Sequence, residues 1–180
     1  DQFKSFQELQ ADKKNLWTDL KTDRLIALAD RIRKKVLNYR PETLFARTIY
    51  APVLTNPESE EWFSQNYEKC LKNYDFTVIM AYPRMEGKFW ERSWLRSLVE
   101  KAASFPGGLD KTVFKVQAYD WKDNEWIPDS TLRKWVRTLS AAGAHHVSYY
   151  PDGLFENRPG IEIARDIMSS RDFPLDKPKR

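Results

Sequence analysis

The sequence predicts an α/β fold in which about four parallel strands alternate with helices behind one leading helix. Three observations predict it. Four short stretches, at residues 44–50, 75–81, 112–118 and 146–150, are apolar and rich in β-branched or aromatic residues. Between them, apolar residues recur with helical period. The strand starts lie roughly 30–40 residues apart, the length of one strand–helix–strand unit. Such alternation demands a parallel sheet, because a crossover helix makes each return to it.

The elements follow in order. Over 16–39 the residues Trp17, Leu20, Leu25, Leu28, Ile32, Val36 and Tyr39 form one helical stripe, which Pro41 ends. The first strand, 44–50, comes next. Thr55-Asn56-Pro57-Glu58 then offers a cap, a proline at the first turn and an early acid. The spacing of Trp62, Phe63, Tyr67, Cys70, Leu71 and Tyr74 predicts that this helix runs on to the second strand. That strand, Asp75-Phe76-Thr77-Val78-Ile79-Met80-Ala81, reads as buried on both faces. A helix over 89–103 puts Trp90, Trp94, Leu95, Leu98 and Val99 on its apolar side, and Gly107-Gly108 stops it. After the third strand, Asp129 is expected to cap a helix through Leu132, Trp135, Val136 and Leu139, closed by Gly143. The fourth strand precedes a last helix over 161–168, and the polar tail at 176–180 is expected to be loose.

Composition narrows the function classes. The 180 residues suit one domain or part of a larger one, and 10 Phe, 8 Tyr and 7 Trp supply ample core. No apolar run approaches the ~18 residues that span a bilayer. No signal peptide opens the chain, and Asp1-Gln2-Phe3 reads as an interior start, with any targeting segment upstream. Thirty Lys and Arg against 26 Asp and Glu leave a net charge of +4. The dense run Arg31-Ile32-Arg33-Lys34-Lys35 sits near a helix end, where cations complement the macrodipole. That makes it a solvated helix end, and nucleic acid is not an expected partner. Cys70 is alone, so it forms no intrachain disulfide and reads as a small buried hydrophobe on a helix.

Two architectures fit four such units, a small doubly wound sheet or half of an eight-fold barrel. Both bind ligands at the carboxyl ends of their strands. Here those ends carry Tyr50 and Pro52, then Tyr82, Arg84 and Glu86, then Gln117, Asp120 and Trp121, and finally Tyr150 and Asp152. None is glycine-rich, which excludes a dinucleotide fingerprint and a P-loop. Functional groups on every tip favour a barrel mouth, since a doubly wound sheet concentrates them at one switch point. Aromatics mixed with carboxylates suit sugars, whose apolar ring faces pack on Trp or Tyr while acids accept from hydroxyls. Paired carboxylates are also the minimum equipment for glycoside hydrolysis. Against each residue stands the plainer use of a strand-end aromatic as packing and a strand-end acid as a helix cap.

Other chemistries find little support. His145 and His146 are strand neighbours that point to opposite faces, and with only 2 His in the chain a zinc site is not expected. Ser148 has no nucleophile elbow around it, and Cys70 has no partner for covalent catalysis.

Longer motifs extend this reading. TIYAPVLTNPESEEWFSQNYEKCLKNYDFTVIMAYPRME, DKTVFKVQAYDW and SYYPDGLFENRPGIEIARDIMSSRDFP resemble the carboxyl-terminal glycoside hydrolase domain of the poly-β-1,6-N-acetyl-D-glucosamine N-deacetylase (PgaB) family. The resemblance runs from about Phe3 to Leu175. It implies that residues 1–180 are the second half of a (β/α)8 barrel, with the first half and a metal-dependent deacetylase domain absent. No cofactor is expected in this segment, since a divalent metal belongs to the deacetylase domain. The resemblance places Trp121 of QAYDW and Tyr150 of YYPD among aromatics lining the glycan groove. Tyr82, Glu86 and Asp152 fall on further segments of that groove, and Gln117 and Asp120 complete the candidate set. The family's proposed catalytic aspartate lies in a His-Asp-Asp segment on an earlier strand. Nothing here matches it, so the leading acid is expected upstream.

In function, the resemblance implies binding of partly deacetylated poly-N-acetylglucosamine, with hydrolysis by the intact protein, during biofilm exopolysaccharide processing and export. The setting would be the Gram-negative periplasm, at an outer-membrane lipoprotein, with an export porin as a further partner. The alternative is a non-catalytic carbohydrate-binding or export-guiding module. Four strands alone leave two sheet edges open, so self-association, or packing of the opening helix over the bare face, is expected.

Overall fold

The computed structural model describes residues 11–168; the tail expected to be loose, 176–180, lies outside the described residues. The leading helix α1 spans Ala11–Leu37. It reaches the body through charge more than through its apolar stripe. Lys69 meets Asp19 at 2.9 Å and Asp23 at 2.8 Å, Arg33 donates to the Asn73 carbonyl, and Lys21 to that of Glu61. Trp17, Leu20, Leu25, Leu28 and Ile32 stay exposed, although their spacing marks them as core-facing. In the basic run, Arg33 and Lys34 pair with Asp30 as a solvated helix end should.

Strand β1 (Ala46–Tyr50) leads into α2 (Ala51–Thr55), a 3-10 turn at Pro57–Ser59, α3 (Glu60–Phe63) and α4 (Tyr67–Asn73). The single helix expected across this stretch is therefore broken. Ser64 takes a left-handed φ of 49°, and the Asn66 side chain restarts the chain by accepting from the Lys69 amide at 2.9 Å. Trp62 falls on the outside of that break and is exposed. Cys70 is buried on α4, where burial pushes its thiol pKa to about 11.

Strand β2 (Phe76–Ala81) is followed by α5 (Glu91–Ala103), which buries Leu95, Leu98, Val99 and Ala102. Trp90, expected on the apolar side, sits instead at the N-cap and is 76 % exposed. The short α6 (Gly108–Lys111) begins at a glycine because a Cβ there would lie 2.0 Å from the Ala102 carbonyl oxygen. After β3 (Thr112–Gln117) the chain makes a small antiparallel hairpin of β4 (Tyr119–Asp120) and β5 (Glu125–Trp126). Helix α7 (Asp129–Ala141) follows. Its N-cap is Pro128, and Asp129 is the first helical residue, whose carboxylate accepts from Gly160 N at 3.5 Å in place of the expected capping role. Strand β6 (His146–Tyr150), a 3-10 turn at Leu154–Glu156 and α8 (Ile161–Ile167) complete the described chain.

The main sheet has the order β1-β2-β3-β6, with every neighbouring pair parallel. Strands therefore lie side by side in chain order, with no reversal at which a doubly wound sheet would place its ligand. This is the order of a (β/α) barrel arc. The two sheet faces differ sharply. Ile49, Ile79, Phe114 and Val116 are fully buried under the helices, with Leu98, Leu132, Trp135 and Leu139 packed among them. On the inner face Val78, Met80, Val113, Lys115 and Ser148 are only partly covered and Thr48 is exposed.

Candidate functional site

The carboxyl ends of the four strands meet in one mouth, and the residues there divide into a hidden clamp and an exposed surface. The clamp starts at Gln117, fully buried at the end of β3. Its Oε1 accepts from the Arg84 and Met85 amides at 3.0 and 3.1 Å, and its Nε2 donates to the Tyr119 carbonyl at 2.9 Å. One side chain thus fixes the turn after β2 to the hairpin after β3.

Arg84 doubles the tie. Its guanidinium reaches Asp120 at 3.3 Å, Glu125 at 3.2 Å and Glu91 at 3.6 Å. Burial works against its charge, but the bonds to Asp120 and Glu125 outweigh this and hold its pKa above the ordinary value. Asp120 is buried and also accepts from the Lys122 amide at 3.0 Å, which shapes the hairpin turn. Glu91 accepts from Trp135 Nε1 at 3.0 Å, carrying the network into α7. Asn124 closes the turn at a left-handed φ of 57°, and its side chain accepts from the Tyr119 hydroxyl at 2.7 Å.

What the clamp holds up is aromatic. Tyr82, Trp121 and Tyr150 run as near-parallel rings, with centroids 5.6 Å and then 6.2 Å apart. Tyr82 is buried as the backing, and burial, with the nearby Tyr150, pushes its phenol up to about 12. Trp121 is 46 % exposed and Tyr150 54 %, so two faces are offered to solvent. Behind them Trp126 Nε1 donates to Glu156 at 3.0 Å, fastening the loop after β6 over the hairpin. A Cβ on Gly153 would lie 2.7 Å from the Trp126 ring, so a side chain there would have to displace that ring.

Of the seven residues the sequence singles out, the structure brings all to this mouth but turns three inward. Tyr82, Gln117 and Asp120 are buried, and their polar or ring contacts are to the protein itself. Asp120, a candidate groove residue by sequence, does not stand open to a ligand, because Arg84 and the turn amides occupy its carboxylate. Glu86 is half-buried, and burial raises its carboxyl pKa while Lys88 partly opposes the rise. Asp152, Trp121 and Tyr150 are exposed. Sequence reasoning passed over Glu91, Glu125 and Glu156, acids placed by long-range contacts that no local pattern reveals. It also passed over Lys115, visible as a lone cation on the inner-facing alternation Val113, Lys115, Gln117.

Away from the mouth, His145 Nδ1 and His146 Nε2 both contact Asp110, at its carboxylate and its carbonyl, each at 3.0 Å. Among the described residues no group of three or more His, Cys, Asp or Glu is placed to hold a metal ion. Nor is any described helix long and apolar enough to cross a membrane.

Residues 2–150 match the model of the family described as hypothetical glycosyl hydrolase family 13. Proteins named poly-beta-1,6-N-acetyl-D-glucosamine N-deacetylase, from Escherichia coli K12 and O157:H7, are each 34 % identical over 164 residues, covering 88 % of this chain and 24 % of theirs. The solved PgaB (BpsB) glycoside hydrolase domain from Bordetella bronchiseptica superposes with a TM-score of 0.84 at 36 % identity, over 89 % of this chain and 46 % of that one. The chain thus spans about a quarter of the length of these curated relatives and about half of the solved domain.

Proposed function

Because the chain belongs to hypothetical glycosyl hydrolase family 13 and shares its fold with the PgaB glycoside hydrolase domain, we propose that residues 1–180 form the carboxyl-terminal, glycan-binding part of a (β/α)8 hydrolase barrel. The ligand in this reading is partly deacetylated poly-β-1,6-N-acetyl-D-glucosamine, the polymer in the names of the E. coli relatives. One observation carries it: Trp121 and Tyr150 are held open and near-parallel at the strand ends beside a clamp in which Gln117, Arg84 and Asp120 bond to one another's segments. Pyranose rings stack on such faces through their apolar C–H surface. The intact protein would cut the polymer in the periplasm during exopolysaccharide export, with an outer-membrane porin as neighbour and self-association as one way to cover the sheet edges.

Hydrolysis needs an acid and a second carboxylate, or a substrate group acting in its place. These 180 residues hold no His-Asp-Asp segment, so the chain alone is proposed to bind without cutting. New reducing ends after incubation with the deacetylated polymer would overturn that. The engagement of Asp120, Glu91 and Glu125 by Arg84 favours, as a second reading, a binding module that guides export. The deciding experiment is calorimetric titration of the chain and its Trp121→Ala variant with β-1,6-linked glucosamine oligomers. Binding that Trp121→Ala abolishes or weakens supports the proposal; no binding, or equal binding by both, contradicts it.

A further inference from the structure

Lys115 projects from the inner face of β3, in register with Met80 on one side and Ser148 on the other. Its ammonium lies 5.6 Å from the centroid of the Tyr150 ring. Tyr50, the β1 residue opposite Met80, is also uncharged, so the four described strands supply no acid at this level. Four carboxylates around the clamp are engaged elsewhere, Asp120, Glu125 and Glu91 by Arg84 and Glu156 by Trp126, while Glu86 and Asp152 stand at the mouth in no ion pair with Lys115. Among the described residues Lys115 has no ion-pair partner, and burial lowers its pKa from the ordinary 10.5. A half-buried cation with only a ring for company is costly to keep unless something else uses it. It stands at the floor of the mouth, against one of the two exposed faces of the glycan platform.

Resting on the glycan-binding reading above, we infer that Lys115 makes the subsite against Tyr150 selective for an N-acetylated sugar over its deacetylated counterpart. An acetamido group presents a carbonyl oxygen, which accepts a hydrogen bond from the ammonium without a charge of its own. A deacetylated sugar presents a second ammonium. Two like charges a few ångströms apart in a partly desolvated mouth repel enough to cost about tenfold in affinity. A polymer carrying both sugars would then be threaded in one register, with an acetylated unit on Tyr150. Deacetylated units would fall toward the open acids, Glu86 and Asp152.

The test is titration of the intact protein, Lys115→Met and Lys115→Arg with fully acetylated and fully deacetylated β-1,6-linked glucosamine oligomers of equal length. Lys115→Met keeps the stem and removes the charge, and should shift the affinity ratio about tenfold toward the deacetylated oligomer. Lys115→Arg should keep the original ratio. An unchanged ratio in Lys115→Met overturns the inference while leaving glycan binding standing. Failure of the unsubstituted protein to bind either oligomer overturns the glycan reading and this inference with it. Should Lys115→Met fold poorly by thermal melt, Lys115→Gln provides the same reading from a polar, uncharged side chain.

Discussion

The two ends of the sheet are built from similar residues and put them to different use. At the amino-terminal ends of the strands, polar groups close on one another or on the backbone. Asp75 accepts from the Phe45 amide at 2.7 Å, the Tyr67 hydroxyl meets that of Thr112 at 2.7 Å, and both histidines rest on Asp110. These bonds set where strands start. At the carboxyl-terminal ends, the bonds of Gln117, Arg84 and Asp120 are just as local in geometry, yet they hold up a pair of rings left open to solvent. A folding demand explains the first end. It does not explain exposed Trp121 and Tyr150, because aromatic surface backed so carefully would gain more by being covered.

The sharpest way to break this comparison is to cut one tie at each end. Arg84→Met leaves the Asp120 carboxylate buried without its cation and should cost about 3 kcal/mol in a denaturant titration. Adding Asp120→Asn should recover part of that loss. The matching cut at the other end, Asp110→Asn, alters an exposed contact between a carboxylate and the His145 ring and should cost no more than about 0.5 kcal/mol. Comparable losses at the two ends would erase the distinction. Next in size, Trp121→Ala should weaken oligomer binding by about 1–3 kcal/mol with little change in thermal stability, since it removes an exposed face and no core. Asp152→Asn should weaken the deacetylated oligomer a few-fold and spare the acetylated one, and added salt should mimic it by screening.

The smallest effect concerns pH. Burial raises the Glu86 carboxyl above its ordinary 4.5, so the folded state binds that proton more tightly than the unfolded chain. The contribution of Glu86 to stability is therefore most favourable below its unfolded value and is lost as pH rises through the raised folded value. Glu86→Gln should stabilise the protein slightly at neutral pH and have no effect in acid. A destabilised variant at neutral pH would show Glu86 making a contact that its charge supports.

Strand positions were legible because period-2 burial and β-branched content are local properties; 75–81 and 146–150 read almost as the structure has them. The barrel reading followed from aromatics on all four tips and acids on three of them, and the strand order agrees with it. The helix expected to run from Pro57 to Tyr74 failed because apolar spacing continues across Ser64 while the backbone does not. The α1 stripe misled for the opposite reason: its period is helical, but salt bridges decide which side meets the body. At the mouth, residue type showed that Asp120 and Gln117 belong to the strand ends. Whether they face solvent or Arg84 depends on a partner more than 30 residues away, which no window of sequence contains.

The most direct test of the account is to watch both ends of the sheet at once, by following ring signals in a nuclear magnetic resonance titration with a partly deacetylated β-1,6-linked glucosamine oligomer. The account predicts that the Trp121 indole and Tyr150 ring resonances shift together and saturate. The His145 and His146 rings, bound to Asp110 at the far end, should stay where they are. Shifts confined to the histidine end, or no shift at Trp121 and Tyr150 at saturating oligomer, would contradict it.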